Sequence, residues 1–405
     1  MRMPALPDHP QLQYLLRPHD GRISVQPLQP YDERACELLQ QLSRLLLADA
    51  EARPHTDVMA FAFWCRRANI ARLQRDHAEA RARLGRGLAF HIAPANVPAN
   101  FAYSYAFALL AGNASVVRVP SQDYPQVAII ARALRQLLQA PEFAVLAAMT
   151  ALVRYPHDDG LTAQFSAMCQ ARIIWGGDQA IAAIRRQPIP SRGVEIAFAD
   201  RYSFCAIDAA SLLREDASGL ARLAEGFYND VFQMDQNACS SPHLLVWLGE
   251  SQQIAAAQQA FWPAVHAVAA ARMTLQAVQA VDKYTLLCRS AVEHANVAGA
   301  VRHDNHVYRI ALDSVAADVD SLRGRHGLVY EYRARRLDEV AHIVNSKYQT
   351  LTYFGLSREQ GLDFVLGNRL AGIDRIVPIG SALDMGVIWD GYDIIRTLSR
   401  IVDFR

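Results

Sequence analysis

The stretch Leu88-Ala89-Phe90-His91-Ile92-Ala93-Pro94-Ala95-Asn96-Val97-Pro98 decides the fold. Five residues of strand character run into a turn held between two prolines, and residues 98–111 then read as a helix. Toward the C-terminus the alternation continues. Residues 115–119 read as a strand, 126–138 as a helix, 151–155 as a strand, 161–169 as a helix and 172–175 as a strand. That last strand ends in Gly176-Gly177, after which Asp178 reads as a helix N-cap. Strands separated by helices of this length imply a parallel sheet of Rossmann type, whose ligand binds beyond the carboxyl ends of its strands.

Beyond residue 203 the pattern restarts. A strand at 204–207, a helix at 212–226 and a strand at 244–247 precede a long Ala-rich helix at 251–271 and a shorter one at 274–281. Residues 328–354 read strand, helix, strand, and the last strands fall at 375–378 and 394–402. On the N-terminal side residues 1–30 are Pro-rich and irregular, with a short strand at 22–25. Leu38, Leu39, Leu42, Leu45 and Leu46 follow at helical spacing, and a second long helix spans 57–84 with Phe61, Trp64, Ile70 and Leu73 on its buried side.

A chain of 405 residues suits two or three lobes, and with 52% hydrophobic and 20% charged residues it carries a large core rather than disorder. Lys plus Arg (41) and Asp plus Glu (40) leave a formal charge of +1, so nothing electrostatic points to nucleic acid or an anionic membrane as partner. No run of about 18 apolar residues provides a transmembrane helix. Residues 1–10 hold three prolines and no apolar core segment, unlike a signal peptide. The six cysteines, Cys36, Cys65, Cys169, Cys205, Cys239 and Cys288, show no CxxC spacing, so no zinc site or redox dithiol is indicated. The expectation is a reduced, cytoplasmic protein without a metal.

Chemistry concentrates in four segments. Met234-Asp235-Gln236-Asn237-Ala238-Cys239-Ser240-Ser241-Pro242-His243 places Cys239 in a polar loop between a helix and a strand. A nucleophilic thiol needs such exposure. The other five cysteines have mostly apolar or helical neighbours and read as small buried hydrophobes. Asn96, between Pro94 and Pro98 at a strand's carboxyl end, offers an amide donor for developing negative charge on oxygen, or else simply hydrogen-bonds its own turn. Arg118 and Ser121 end the strand of Ala111-Gly112-Asn113-Ala114-Ser115-Val116-Val117-Arg118-Val119-Pro120-Ser121, where a cation can grip ribose or phosphate or form a surface ion pair. Gly176 and Gly177 open a helix whose N-terminal N–H groups favour phosphate.

In order and company these segments resemble the aldehyde dehydrogenase superfamily. By that resemblance Asn96 corresponds to the oxyanion asparagine, Arg118 to the lysine on the adenosine ribose and Cys239 to the nucleophile. The segment Asp235-Gln236-Asn237-Ala238-Cys239-Ser240-Ser241-Pro242, with Arg375-Ile376-Val377-Pro378-Ile379-Gly380-Ser381-Ala382 and Ile388-Trp389-Asp390-Gly391-Tyr392-Asp393, is similar to the LuxC family of long-chain acyl-thioester reductases. The resemblance departs from hydrolytic aldehyde dehydrogenases at Ala197-Phe198-Ala199-Asp200-Arg201, where alanine stands in place of the water-activating glutamate and Glu195 is out of line with it. It also lacks a counterpart of the segment that grips the nicotinamide ribose.

An enzyme that reduces an acyl-cysteine has no need of that glutamate. The resemblance therefore implies NADPH-dependent reduction of an activated long-chain fatty acyl group to the aldehyde, with NADH as the alternative cofactor. The implied architecture is α/β. A Rossmann-like cofactor-binding domain with N-terminal helices covers 1–203, a second α/β catalytic domain covers 204–376, and a C-terminal oligomerisation segment covers 377–405. The expected partners are the acyl substrate, an acyl-protein synthetase or acyl carrier, and a second copy of the chain. The alternatives are an NAD(P)-dependent aldehyde oxidiser and a non-catalytic subunit of an acyl-activating complex.

Overall fold

The computed structural model describes residues 3–76, 81–94 and 97–405, in two compact units. One unit contains the chain through Ala199 together with Met385–Arg405, and the other is Asp200–Asp384.

The first unit is built on six strands in the order Gln13–Leu16, Thr150–Arg154, Ala114–Arg118, Leu88–Ile92, Ala171–Trp175, Val194–Phe198. All are parallel except Gln13–Leu16, which runs antiparallel at the edge. Leu88–Ile92 and Ala171–Trp175 are buried along their whole length. Strands covered on both faces are mostly apolar, and the two polar residues here are bound, His91 by Ser104 and Arg172 by Glu195. The strand order reverses between these two strands, creating a crevice at their carboxyl ends. His91 Nδ1 lies 2.8 Å from Ser104 Oγ, which also accepts from Trp175 Nε1 at 3.1 Å. Burial pushes the His91 imidazole down to about 3, so it is neutral and ties both switch-point strands to the helix Asn100–Leu110.

The second unit has a seven-stranded sheet in the order Val297–His303, Val307–Leu312, Leu328–Ala334, Pro242–Leu248, Tyr202–Asp208, Tyr348–Phe354, Arg375–Pro378. Only the outer hairpin, Val297–His303 with Val307–Leu312, is antiparallel. The central strand Pro242–Leu248 is wholly buried. One face of the sheet packs Phe227, Phe261, Trp262 and Trp247, and the other packs Tyr202, Phe204, Tyr330 and Tyr348. This is the α/β architecture expected. No helix among the described residues is long and apolar enough to cross a membrane.

Several local expectations are corrected. The strand placed at 22–25 is an isolated bridge between Ala5 and Arg22, and the edge strand is Gln13–Leu16. The long helix of 57–84 is two helices, Thr56–Trp64 and Arg67–Asp76, because the Asn69 side chain captures the Trp64 carbonyl at 2.8 Å. Residues 77–80 of that stretch lie outside the described residues. Gly177, one residue before the expected Asp178, is the N-cap. The helix expected at 274–281 runs from Ala277 to Glu293. Strand Val194–Phe198 and the outer hairpin are additional elements.

At the C-terminal end, residues 394–402 form a short helix, Ile394–Thr397, and a strand, Ser399–Ile401. That strand pairs antiparallel with Arg83–Gly85 of the same chain. Arg86 Nε, Arg83 Nη2 and Asn113 Nδ2 donate to the carbonyls of Thr397, Arg396 and Leu398 at 2.7, 2.7 and 2.9 Å. Gly112, at φ +83°, carries the turn before Asn113; a Cβ there would lie 2.1 Å from the Leu28 carbonyl. The passage between units occurs at Asp200 rather than 204, and the return at Met385 rather than 377. Residues 379–384 stay with the second unit because buried Asp230 accepts from Gly380 N (2.7 Å) and Ala382 N (2.9 Å).

Candidate active site

Cys239 stands in the loop that enters the central strand of the second unit, at the amino-terminal edge of the sheet. The loop leaves helix Ala217–Val231 through Asp235 and Gln236, both in the left-handed region at φ 49° and 58°. Two successive non-glycine residues in that region require tertiary support. Gln236 provides it: its buried amide donates to Leu328 O at 3.0 Å and its Oε1 accepts from Gly327 N at 3.3 Å. The sequence already placed Gln236 beside the cysteine, but its partners lie about ninety residues further along the chain.

The cysteine itself is fixed from two neighbouring strands. Ser203 Oγ donates to the Cys239 carbonyl at 2.8 Å and accepts from Thr350 N at 3.1 Å. Gln349 Nε2 donates to Cys239 Sγ at 3.3 Å, within the longer range proper to sulfur. The Thr350 hydroxyl lies 3.4 Å from Gln349 Oε1, leaving the amino group toward the thiol. Register slips bring these groups together: Tyr202 faces Tyr348 while Phe204 faces Leu351, so Gln349 and Thr350 sit in a bulge opposite Ser203. A second slip, between Ser203–Pro242 and Phe204–Leu244, falls at His243. Bulges re-aim side chains beside functional sites, and here they turn a strand glutamine toward the sulfur.

Exposure separates the cysteines. Cys239 is half-buried, whereas Cys36, Cys65, Cys169 and Cys205 are buried. Burial pushes the Cys36 and Cys169 thiols up to about 11 and about 12, and raises Cys65 and Cys205 well above the usual range. Cys288 departs from expectation: it lies exposed on helix Ala277–Glu293 rather than buried. His243, the second residue of that central strand, is buried and stacked on Tyr202 with ring centroids 5.4 Å apart. Burial and nearby Arg323 push its imidazole down to about 3. It is therefore a neutral packing residue.

In the first unit the remaining candidates lie along the carboxyl edge of the parallel sheet. Gly176 N donates to Phe198 O at 3.1 Å. Gly177 caps helix Asp178–Arg185 in an exposed position, and a Cβ on it would meet nothing within 4 Å. Arg118 ends strand Ala114–Arg118, which Leu88–Ile92 separates from Ala171–Trp175; its Nη2 reaches the carbonyls of Tyr155 (3.3 Å) and Pro156 (3.4 Å), with the guanidinium 4.6 Å from the Tyr155 ring centroid. Its buried Nε has no hydrogen-bond partner. Ser121 is exposed in the following loop, and Asp123 is ion-paired with Arg154. Arg118 and Gly177 thus follow strands that flank Leu88–Ile92 on either side, at the carboxyl edge where a parallel sheet of this order takes its ligand. Glu195 is bound by Arg172 (2.8 Å) and Arg185 (2.7 Å) as part of the sheet. Asn96 lies outside the described residues.

The family profile described as acyl-CoA reductase (LuxC) matches residues 24–402. The chain belongs to the LuxC acyl-CoA reductase family. Its solved neighbours are aldehyde dehydrogenase superfamily members. The LuxC-family chain is similar to Thermus thermophilus 1-pyrroline-5-carboxylate dehydrogenase, with TM-score 0.60 and 13% identity over 92% of this chain and 81% of that one. Aldehyde dehydrogenase 21 of Physcomitrella patens gives TM-score 0.60 and 11% identity over 92% and 86%. Bradyrhizobium japonicum proline utilization A gives TM-score 0.59 and 18% identity over 88% of this chain. The LuxC-family chain spans only 39% of that larger protein's length. No curated protein matches the sequence. At these identities the likeness is one of fold.

Proposed function

We propose that this LuxC-family chain reduces an activated long-chain fatty acyl group, as acyl-CoA, acyl-protein thioester or acyl adenylate, to the aldehyde through an acyl-cysteine on Cys239. The observation that supports this most directly is the Gln349 amide 3.3 Å from the cysteine sulfur. A neutral amide stabilises a thiolate by donating its N–H, and it has no basicity with which to take a proton from water. The contact favours the nucleophile without promoting hydrolysis. Alanine at 197 in place of a water-activating glutamate, and the engagement of Glu195 by two arginines, support the same reading.

In this proposal the Cys239 thiolate attacks the acyl carbonyl carbon, forming the C–S bond as the thiol or AMP departs. The oxyanion is held by the Asn96 amide, assigned by resemblance, and by the backbone N–H of Cys239. When bound, the nicotinamide supplies the hydride that takes the acyl-cysteine to the aldehyde level. Release of aldehyde returns the thiolate to Gln349. Gly176, Gly177, Arg118 and Ser121 would hold the dinucleotide, with NADPH favoured over NADH. Arginine's planar fork suits a 2′-phosphate, and the charge of Asp123 is compensated by Arg154. The acyl group arrives as free acyl-CoA or from a synthetase or carrier, and the working form is a dimer.

The test supplies purified protein with acyl-CoAs of graded length and NADPH, trapping aldehyde and mapping the acylated peptide by mass spectrometry. Acylation at Cys239, with both acylation and aldehyde lost in Cys239→Ala, is the expected result. Thioester reduction that persists in Cys239→Ala would overturn the mechanism. A monomer by light scattering at micromolar concentration would remove the dimer clause alone.

A further inference from the structure

Away from Cys239, the second unit gathers three metal-binding side chains. His266 lies on helix Ser251–Arg272, and Asp304 and His306 lie in the turn between Val297–His303 and Val307–Leu312. Asp304 Oδ2 is 2.7 Å from His266 Nε2, and Oδ1 is 2.8 Å from His306 Nδ1. All three donor atoms lie within 4.8 Å of one another. The side chains are 30%, 49% and 24% exposed, so the group is reachable from solvent while remaining partly shielded.

The turn is held in this shape in part from outside the cluster. Buried Lys283 donates from Nζ to the carbonyls of Asn305 (2.6 Å), His306 (2.9 Å) and His326 (2.6 Å), and sits 4.8 Å from the Tyr308 ring centroid. Asp304 adopts φ +47°, and its Oδ1 accepts from His306 N at 2.6 Å. A second observation concerns His303. Its Nε2 is buried without a hydrogen-bond partner, and its ring centroid is 5.9 Å from that of His266. His303 thus adds a third imidazole beside the group. The neighbouring cations are engaged elsewhere, Arg302 with Asn305 and Arg309 with Glu331.

We propose that His266, Asp304 and His306 form a binding site for a divalent transition-metal ion of the zinc class, completed by water. Two imidazoles and one carboxylate suit zinc, whereas calcium and magnesium take oxygen donors. Zinc bonds of about 2.0–2.2 Å in tetrahedral geometry separate the ligand atoms by roughly 3.3 Å. The two histidine–carboxylate contacts, at 2.7 and 2.8 Å, would open by about half an ångström, and the widest pair of donor atoms, at most 4.8 Å apart, would close toward that spacing, as the ion replaces the bridging protons. The bound ion would staple the turn of the edge hairpin to helix Ser251–Arg272.

The experiment uses chelator-treated full-length protein with its accessible thiols blocked by N-ethylmaleimide, since Cys239 and Cys288 could compete for metal. Zinc chloride is titrated by calorimetry, and cobalt(II) by visible absorption. One ion per chain, a raised unfolding temperature and cobalt d–d bands without near-ultraviolet thiolate absorption are expected. Affinity should fall by more than about tenfold in His266→Ala and in Asp304→Asn, given that even outer-shell changes at metal sites cost that much. His306→Gln, a milder change, should weaken binding in the same direction while circular dichroism stays native. Absence of binding by the folded wild type, or binding unchanged in His266→Ala and Asp304→Asn, would overturn the assignment.

Discussion

Replacing Gln349 with leucine removes the amide donor 3.3 Å from Cys239 Sγ while keeping a side chain of similar length in the buried bulge. A hydrogen bond to a charged group contributes about 1.5–3 kcal/mol, and the length of this one places it near the lower end. About 1.5–2 kcal/mol of lost thiolate stabilisation moves the midpoint of the thiol's alkylation profile up by about 1 to 1.5 pH units. The rate at neutral pH changes less, because a more basic thiolate is intrinsically more nucleophilic, with a Brønsted coefficient of about 0.4–0.5. The two effects combine to a fall of roughly three- to sevenfold. The midpoint is therefore the decisive readout.

The assay is iodoacetamide alkylation across a pH series, resolved peptide by peptide. Exposed Cys288 serves as an internal control whose profile stays unchanged. Gln349→Glu should move the midpoint further in the same direction, because it adds a negative charge beside the sulfur. Acyl transfer from acyl-CoA should slow in parallel with alkylation. A wild-type midpoint for Cys239 in a folded Gln349→Leu protein would refute the reasoning, and Gln349 would then be a packing residue of the bulge.

Replacement of Asn96 by Ala is expected to lower turnover by about 10²–10³-fold with little change in NADP(H) binding, the usual effect of losing one oxyanion donor; an unchanged acylation rate would return it to a turn residue. Arg118→Ala should reduce kcat/KM for NADPH more than for NADH, and an equal loss with both, or a wild-type preference for NADH, would sink the phosphate reading. Asp230 gives a pH prediction. Burial, opposed by the Gly380 and Ala382 N–H groups, raises its carboxyl to about 7 from an ordinary value near 3.8. The folded state thus holds a proton that the unfolded chain releases. This contribution to stability is fully present below pH ~4 and is lost as pH rises toward ~7. Thermal unfolding of Asp230→Asn should show a flatter dependence between those limits, and an unaltered slope would contradict the assignment.

The alternating architecture was legible because its determinants are short-range. Leu88–Ile92 is apolar at every position but His91, between a glycine and a proline turn, as suits a strand covered on both faces. The half-buried loop position of Cys239 was legible because small polar residues surround it in the chain. Gln349 was not, since a lone glutamine in Tyr348–Phe354 reads as a solvent-facing strand position, yet it is buried. Its role depends on a register slip against Tyr202–Asp208, which no local pattern records. Cys288 misled for the opposite reason: its apolar helical neighbours include Val281, Tyr284 and Val292, and these are themselves exposed.

By itself, then, the sequence determined the order of strands and helices, the turn chemistry and the loop that carries the thiol. Those follow from side-chain periodicity and backbone preference over a few residues. Tertiary structure alone decided which groups meet across the sheets: Cys239 with Gln349, 110 residues away, Ser399–Ile401 with Arg83–Gly85, and His266 with Asp304. Such pairings arise only when strands have closed in register and bulges have chosen which side chains face inward. That choice is made by the summed burial of two large cores, not by any residue's immediate neighbours.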